Sequence, residues 1–343
     1  MIKLRRRYVE QVADARAAQD LFEPLQNAIE LEHSTIPPYL TAVLSLKAGV
    51  NDMIGGLIRN ITGQEMLHMC IVSNILIAIG GRPSINHAGF APSYPGPLPM
   101  NIGGADFRVG IEAFSKDLVQ RVFMAIEEPE KPLHINDKLL LETDYATIGA
   151  FYRALQAKIV QLGDGVFDPG SVSRQVLEGR WFPADQLFPI TDAASAVRAI
   201  ELIVLQGEGT SSEPWESPGV LAHYYRFGEI HAGRTLVAQG AGFAYAGAPI
   251  PFDDNGVYPI KPNCKLADFV PDTQAYTRLA QFNYTYNSLL NALHACFNGA
   301  PDKLDSAIGL MYSLRIEAVA LMQTPIDGAG GLTVGPSFEY MQL

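Results

Sequence analysis

The sequence predicts an all-α fold, a four-helix bundle made of two helical hairpins joined by a long crossover, with extra helices and long Pro/Gly-rich loops around it. Three observations point there. Long segments repeat apolar residues with a helical spacing, few stretches alternate as strands do, and Gly/Pro clusters separate the helical pairs. A first helix begins near Asp20, a good N-cap, and runs to about Lys47, where Gly49 and Asn51 stop it. The second spans about Met53 to Ile79 and ends at Gly80-Gly81-Arg82-Pro83. A short loop between them makes an antiparallel hairpin.

Residues 84–108 are rich in Pro and Gly but interleave Tyr, Phe, Leu and Met, which marks an ordered crossover rather than a linker. Helical segments are expected over about 111–128 and 144–162. Between 163 and 190, Trp181, Phe182 and Phe188 suggest a loop docked on the body. A third strong helix starts from Thr191 or Asp192 and reaches about Ser211, and a fourth is expected from Val220 to Gln239. A further Pro/Gly-rich stretch, 240–272, precedes two more helices within 273–325. The bundle is thus assigned to residues 1–272 with a crossover insertion at 84–190. The C-terminal segment 273–343 is expected to pack on it within one structural domain.

Composition narrows the function classes. The chain has 343 residues, 48% of them hydrophobic, enough for a sizeable core. Its net charge is −11, and its dense basic run, Lys3 to Arg7, offers no face for a phosphate backbone, which argues against nucleic acid. That run is followed by Glu10, Gln11 and Asp14 instead of an apolar stretch, so a cytoplasmic chain is expected. Apolar runs such as 71–79 are shorter than the roughly 20 residues a bilayer requires, and no membrane association is expected. Cys70, Cys264 and Cys296 share no metal-ligand spacing and are expected as buried thiols.

The chemistry lies where charged residues interrupt apolar seams. On the second helix the seam reads Ile54, Ile58, Ile61, Glu65, His68, Val72, Ile75 and Ile79. Glu65 and His68, three residues apart, sit about 60° from each other at ~100° per residue and address one point between helices. This is the Glu-x-x-His arrangement of di-metal carboxylate bundles, and hairpin–crossover–hairpin is the ferritin-like connection. The first helix places Glu32, Thr35 and Tyr39 on its seam, the third Glu208 and the fourth His223. Glu229 shares an adjacent stripe with Arg226, as a ligand or as that arginine's partner. His33 is near the site in sequence but off its seam, and is expected to orient ligands from behind, as is Tyr39. Unpaired buried carboxylates cost several kcal/mol each, so this set needs a cation or an exposed face. Carboxylate oxygens with one or two imidazoles and no Cys suit iron, one ion or two, with manganese possible.

The stretches "LEHSTIPPYL" (31–40), "EMLHMCIVSNILIAIGGRP" (65–83), "YPGPLP" (94–99), "QGEGT" (206–210), "HYYRFGEI" (223–230) and "GPSFEY" (335–340) carry a resemblance. In this order, across about residues 20–340, they resemble the ferritin-like domain of the iminophenyl-pyruvate dimer synthases of bisindole biosynthesis and of many stand-alone bacterial proteins. The resemblance implies a ferritin-like core and a metal centre at Glu32, Glu65, His68, Glu208 and fourth-helix residues. The fourth helix departs from Glu-x-x-His, offering His223, Glu229 and His231, so its ligand stays open between the first two. The dimer synthases are much longer, and their substrate does not carry over.

The leading expectation is therefore a metal-dependent oxidoreductase using O₂ or peroxide on a small organic molecule in secondary metabolism, with a homo-oligomer as the candidate assembly. The alternatives are iron storage or a metal-free scaffold. Finally, Pro37 and Pro38 remove two amide donors from the first helix, so a kink or bulge is expected just past Glu32, with the freed carbonyls open to Tyr, water or substrate.

Overall fold

A computed structural model describes residues 6–104, 106–129, 147–210, 213–240 and 242–343. The short amphipathic helix α1, Arg7–Asp14, leads into a 3₁₀ turn whose backbone amides at Arg16 and Ala17 donate to the Asp20 carboxylate. Helices α2, Phe22–Ser45, and α3, Asp52–Ala78, form the first hairpin. Their apolar seams are fully buried at Leu25, Ala28, Ile54, Ile58, Ile61 and Ile75. At about 1.5–3 kcal/mol per large aliphatic side chain, such burial drives the pairing. Helix α3 is long and apolar enough to cross a membrane, but 89% of its apolar window is buried within the fold, as a core helix is.

Helix α2 runs unbroken through Pro37 and Pro38, and no π-helical interruption follows Glu32. The Ser34 carbonyl, which Pro38 leaves without its i+4 donor, accepts the Tyr94 hydroxyl of the crossover at 2.7 Å. An external hydroxyl therefore restores what the proline removes, and the expected bulge is not needed.

The crossover is ordered by buried Phe90, Tyr94, Leu98, Ile102 and Val109. It enters a composite helix: α4, Lys116–Leu118, a π-helical stretch over Val119–Phe123, and α5, Met124–Ile126. Helix α6, Ile148–Leu162, is capped by the Thr147 hydroxyl, and α7, Ala193–Glu208, by a reciprocal Asp192–Ser195 capping box. The loop between them is clamped twice: Asn74 bonds both backbone groups of Val176, and Gln175 both of Ile190.

Two expectations are corrected here. The second hairpin pairs α6 with α7, so residues 148–162 belong to the bundle and not to the crossover. The fourth helix stops early: α8 covers only His223–Ala232, because Gly233 takes the left-handed conformation (φ 72°) that ends helices. The chain beyond is strand, β3 (Arg234–Gln239) pairing antiparallel with β4 (Gly242–Pro249), after a smaller ribbon of β1 (Trp215–Ser217) and β2 (Val220–Leu221). Helices α9, Gln274–Phe297, and α10, Leu304–Met322, form a third hairpin against the outer face of α2 and α3. The C-terminal tail is fastened to α9 by Asn283 and Asn287. The architecture is the ferritin-like four-helix bundle with added helices.

Candidate metal centre

Five side chains from α2, α3, the end of the π-containing helix and α8 meet inside the bundle. Glu32, Glu65 and His68 each offer one ligand atom within 4.8 Å of the others, and so do Glu65, Glu127 and His223. Glu65 belongs to both groups, so the set has the form of two adjoining cation positions with one shared carboxylate. All five residues are buried or nearly so; His223 is fully inaccessible.

Each carboxylate is held from behind by a hydroxyl. Tyr152 on α6 donates to Glu32 Oε1, Thr35 donates to Glu65 Oε2 at 2.8 Å, and Tyr39 donates to Glu127 Oε1 at 2.6 Å. The second oxygen of each carboxylate faces the imidazoles. His68 Nδ1 lies 3.3 Å from Glu32 Oε2 and 3.7 Å from Glu65 Oε1, and His223 Nδ1 lies 3.0 Å from Glu65 Oε1 and 3.4 Å from Glu127 Oε2.

Both imidazoles are held at the far nitrogen by glutamines. His68 Nε2 meets Gln206 Oε1 at 2.7 Å and His223 Nε2 meets Gln64 Oε1 at 3.1 Å. Gln64 is oriented independently: its amide nitrogen donates to both oxygens of Glu216, and its oxygen accepts from Arg226. An oxygen facing Nε2 requires a proton there, which leaves the Nδ1 lone pair of a neutral imidazole aimed at carboxylate oxygens. That juxtaposition is repulsive unless a cation or a second proton lies between. His223 Nδ1 is in fact buried without a hydrogen-bond partner, the environment a metal-ligating nitrogen has. The donor set therefore fits a hard or borderline cation such as iron or manganese.

The charge balance agrees. Burial and the Glu127 charge push the Glu65 carboxyl above its usual range. Burial alone lowers a histidine's pKa, but at His68 the hydrogen bond and charge of Glu32 outweigh it and raise it to about 9. His223 is also raised, Glu127 and Glu65 outweighing its burial. Among the described residues, no Lys or Arg lies within ion-pairing distance of Glu32, Glu65 or Glu127. The pocket at the cluster measures about 40 Å³, room for a few waters or a diatomic molecule and not for an aromatic ring.

The other candidate residues lie differently. Glu208 lines this pocket, but its carboxylate takes the Gly149 amide at 3.0 Å and faces Arg153 at 3.8 Å, away from the five-atom set. Glu229 is not brought to the cluster: it accepts the Leu236 amide at 2.8 Å and so ties α8 to β3. Its six-residue offset from His223 turns it about 120° away on a helix. Tyr39 stands behind a carboxylate, that of Glu127. His33 points to the opposite face of α2, against Phe90 and the Tyr286 hydroxyl. Glu127, Gln64 and Gln206 were not singled out by the sequence. The π-helical stretch before Glu127 breaks the 3.6-residue period from which its direction would have been extrapolated.

Known proteins resemble the chain in sequence and in fold. The chain is 24% identical over 315 residues to dichlorochromopyrrolate synthase of Lentzea aerocolonigenes, covering 83% of the chain and 30% of that enzyme. It is 26% identical over 362 residues to 2-imino-3-(indol-3-yl)propanoate dimerase of Chromobacterium violaceum, covering 91% and 33%. It thus spans about a third of the length of these curated relatives. A crystal structure of a ferritin-like protein from Caulobacter vibrioides superposes with a TM-score of 0.63 at 24% identity, covering 92% of this chain and 97% of that one, a likeness of fold. The ferritin-like family model matches residues 25–232, and the chain belongs to the ferritin-like family.

Proposed function

We propose that the chain is a metal-dependent oxidoreductase of the ferritin-like family, with Glu32, Glu65, His68, Glu127 and His223 holding one or two iron ions, or manganese, and a small organic molecule as substrate. The observation that carries this reading is the orphaned Nδ1 of His223 facing Glu65 and Glu127, with no Lys or Arg among the described residues within ion-pairing distance of either carboxylate. A cation there would supply Lewis-acid and redox chemistry toward O₂ or peroxide. The names of the two bisindole relatives support a role in secondary metabolism on a small nitrogenous substrate.

The protein's own groups perform the remaining work. Tyr39, Thr35 and Tyr152 fix each carboxylate through its outer oxygen, so the ligand atoms are preorganised. Gln64 and Gln206 hold the proton on each Nε2 and keep Nδ1 available. The small pocket excludes bulk water and admits a diatomic oxidant, while half-buried Glu128, Gly207 and Glu208 form its solvent side, where the organic molecule would approach. In this reading Glu208 shapes the approach, and Glu127 takes the ligand position that the sequence assigned to it.

The deciding experiment is elemental analysis of protein purified without chelator, beside the Glu65→Ala and His68→Ala variants. Stoichiometric iron or manganese in the wild type and its loss in folded variants support the proposal. A folded wild type without metal, and without stabilisation by added Fe(II) or Mn(II), overturns it in favour of a scaffold held by protonated histidines.

A further inference from the structure

On the face of α2 and α3 opposite the cluster lies a second cavity of about 550 Å³, enclosed by α9 and α10. Its size is that of a small-molecule site. It is walled by leucine, isoleucine, methionine and phenylalanine side chains, and it is elongated. Its lining extends along α2 from His33 to Leu44 and on to Leu46, about 20 Å at 1.5 Å per residue, and along α10 from Leu304 to Val319. A groove of this shape suits a flexible chain better than a compact ring.

Three polar side chains interrupt this apolar wall. Arg59 and Arg315 line the cavity and reach solvent, and neither guanidinium has a hydrogen bond or ion pair among the described residues. His33, only 4% exposed, shares its Nε2 with the Tyr286 hydroxyl while its Nδ1 has no partner. A polar nitrogen buried in an apolar wall costs free energy unless a ligand or a water meets it. Two cations without a partner among the described residues, exposed beside a long apolar cavity, complement an anionic head on an apolar tail.

We propose that this cavity is a binding site for an amphipathic carboxylate with a long flexible apolar body, the tail running between the two hairpins and the head held by Arg59 and Arg315. Guanidinium suits a carboxylate because its donors form a planar fork matched to two oxygens. The site is separate from the metal cluster, so it stands whether or not the cluster binds iron.

The test uses dodecanoate, titrated calorimetrically into the full chain below its micellar concentration. One molecule per chain should bind saturably. The Arg59→Gln/Arg315→Gln double variant should weaken dodecanoate tenfold or more and leave neutral dodecan-1-ol unchanged. Leu290→Trp, placed in the buried wall, should abolish binding with metal content unaltered. Ile308→Trp, from a half-buried position, provides the same block should the first variant fail to fold. Absence of saturable binding overturns the proposal. So does dodecanoate affinity unchanged in a folded tryptophan variant, or indole-3-acetate binding in preference to dodecanoate.

Discussion

Glu65 is the carboxylate common to both candidate cation positions, so Glu65→Gln is the most informative single change. Glutamine keeps the shape and the Thr35 hydrogen bond but loses the charge. Without metal the variant should be no less stable than the wild type. Burial and Glu127 raise the Glu65 carboxyl in the fold, and a raised carboxyl contributes stability at low pH that is lost as pH rises through its folded-state value. Where the carboxyl is ionised its charge is a cost to the fold, and glutamine removes it. With metal the order should reverse. A cation at 1,000 times its Kd stabilises the wild type by about 4 kcal/mol. At about 2.1 cal/mol/K per residue, a chain of 343 residues has an unfolding entropy of about 0.7 kcal/mol/K, so the wild-type Tm should rise about 6 °C. Differential scanning calorimetry under anaerobic Fe(II), against EDTA, measures both terms. The expected result is a shift of about 6 °C in the wild type and under about 2 °C in the variant, from an equal or higher starting point. A variant that keeps the full shift would refute the shared role of Glu65, and one that melts far below the metal-free wild type would refute the account of its buried charge.

Three further outcomes follow from the geometry. With His68 raised to about 9, the metal-free site carries its proton at pH 7, so metal binding should release at least one proton and tighten as pH rises from 6 to 8; calorimetry in buffers of different ionisation enthalpy reads the number released. Tyr94→Phe strips the Ser34 carbonyl of its donor and should cost about 1–3 kcal/mol by urea unfolding, whereas in a Pro38→Ala background, where an amide is restored, the same change should cost less than half as much. Gly149→Ala places a methyl group on the Glu208 carboxylate and should cost about 1–3 kcal/mol in stability, with a Glu208→Ala background relieving most of it.

The hairpin of α2 and α3 was legible because its signals are local. Asn51 and the Gly80–Pro83 stop bound the helical periods, and within them Glu32, Glu65 and His68 stand where isoleucine would otherwise be; Asp20, expected as the N-cap of the first helix, instead sits in the 3₁₀ turn before it and accepts the Arg16 and Ala17 amides. The fourth helix was misjudged for an equally local reason. The stripe His223, Phe227, Ile230, Val237 keeps its period across Gly233, but the left-handed turn there ends the helix, and Arg234–Gln239 pairs with a strand that the apolar period does not announce. Glu127 was hidden by the π-helical stretch and by its neighbours Glu128 and Pro129, which make the segment resemble a solvated helix end. The direction of Glu208 depends on a partner 59 residues away, the Gly149 amide, and no periodicity encodes that. Gln64 and Gln206 carry no charge to flag them, and their role exists only relative to the imidazoles they face.

The double proline gains its meaning from the two faces of α2. On one face Glu32, Thr35 and Tyr39 reach into the cluster; on the other His33, Ile36, Pro37 and Leu40 line the apolar cavity. Helix α3 repeats the division, Glu65 and His68 against Met66, Met69 and Cys70. A regular helix at this position would present the Pro37 and Pro38 amides to the carbonyls of His33 and Ser34. With proline those amides are gone, and the Tyr94 hydroxyl takes the place of one, pinning the crossover onto α2 at Ser34, two residues beyond Glu32. A break in the hydrogen-bond ladder is thereby exchanged for a tertiary bond that registers the crossover against the helix carrying the first carboxylate. The crossover leads on to the π-containing helix, and that helix delivers Glu127 to the Tyr39 hydroxyl, the next seam position after Thr35. The prolines and the missed carboxylate are thus two ends of one construction: α2 anchors the start of the crossover through Tyr94 and receives its end through Tyr39, which fixes the separation of Glu32 from Glu127 that two adjoining cations would require.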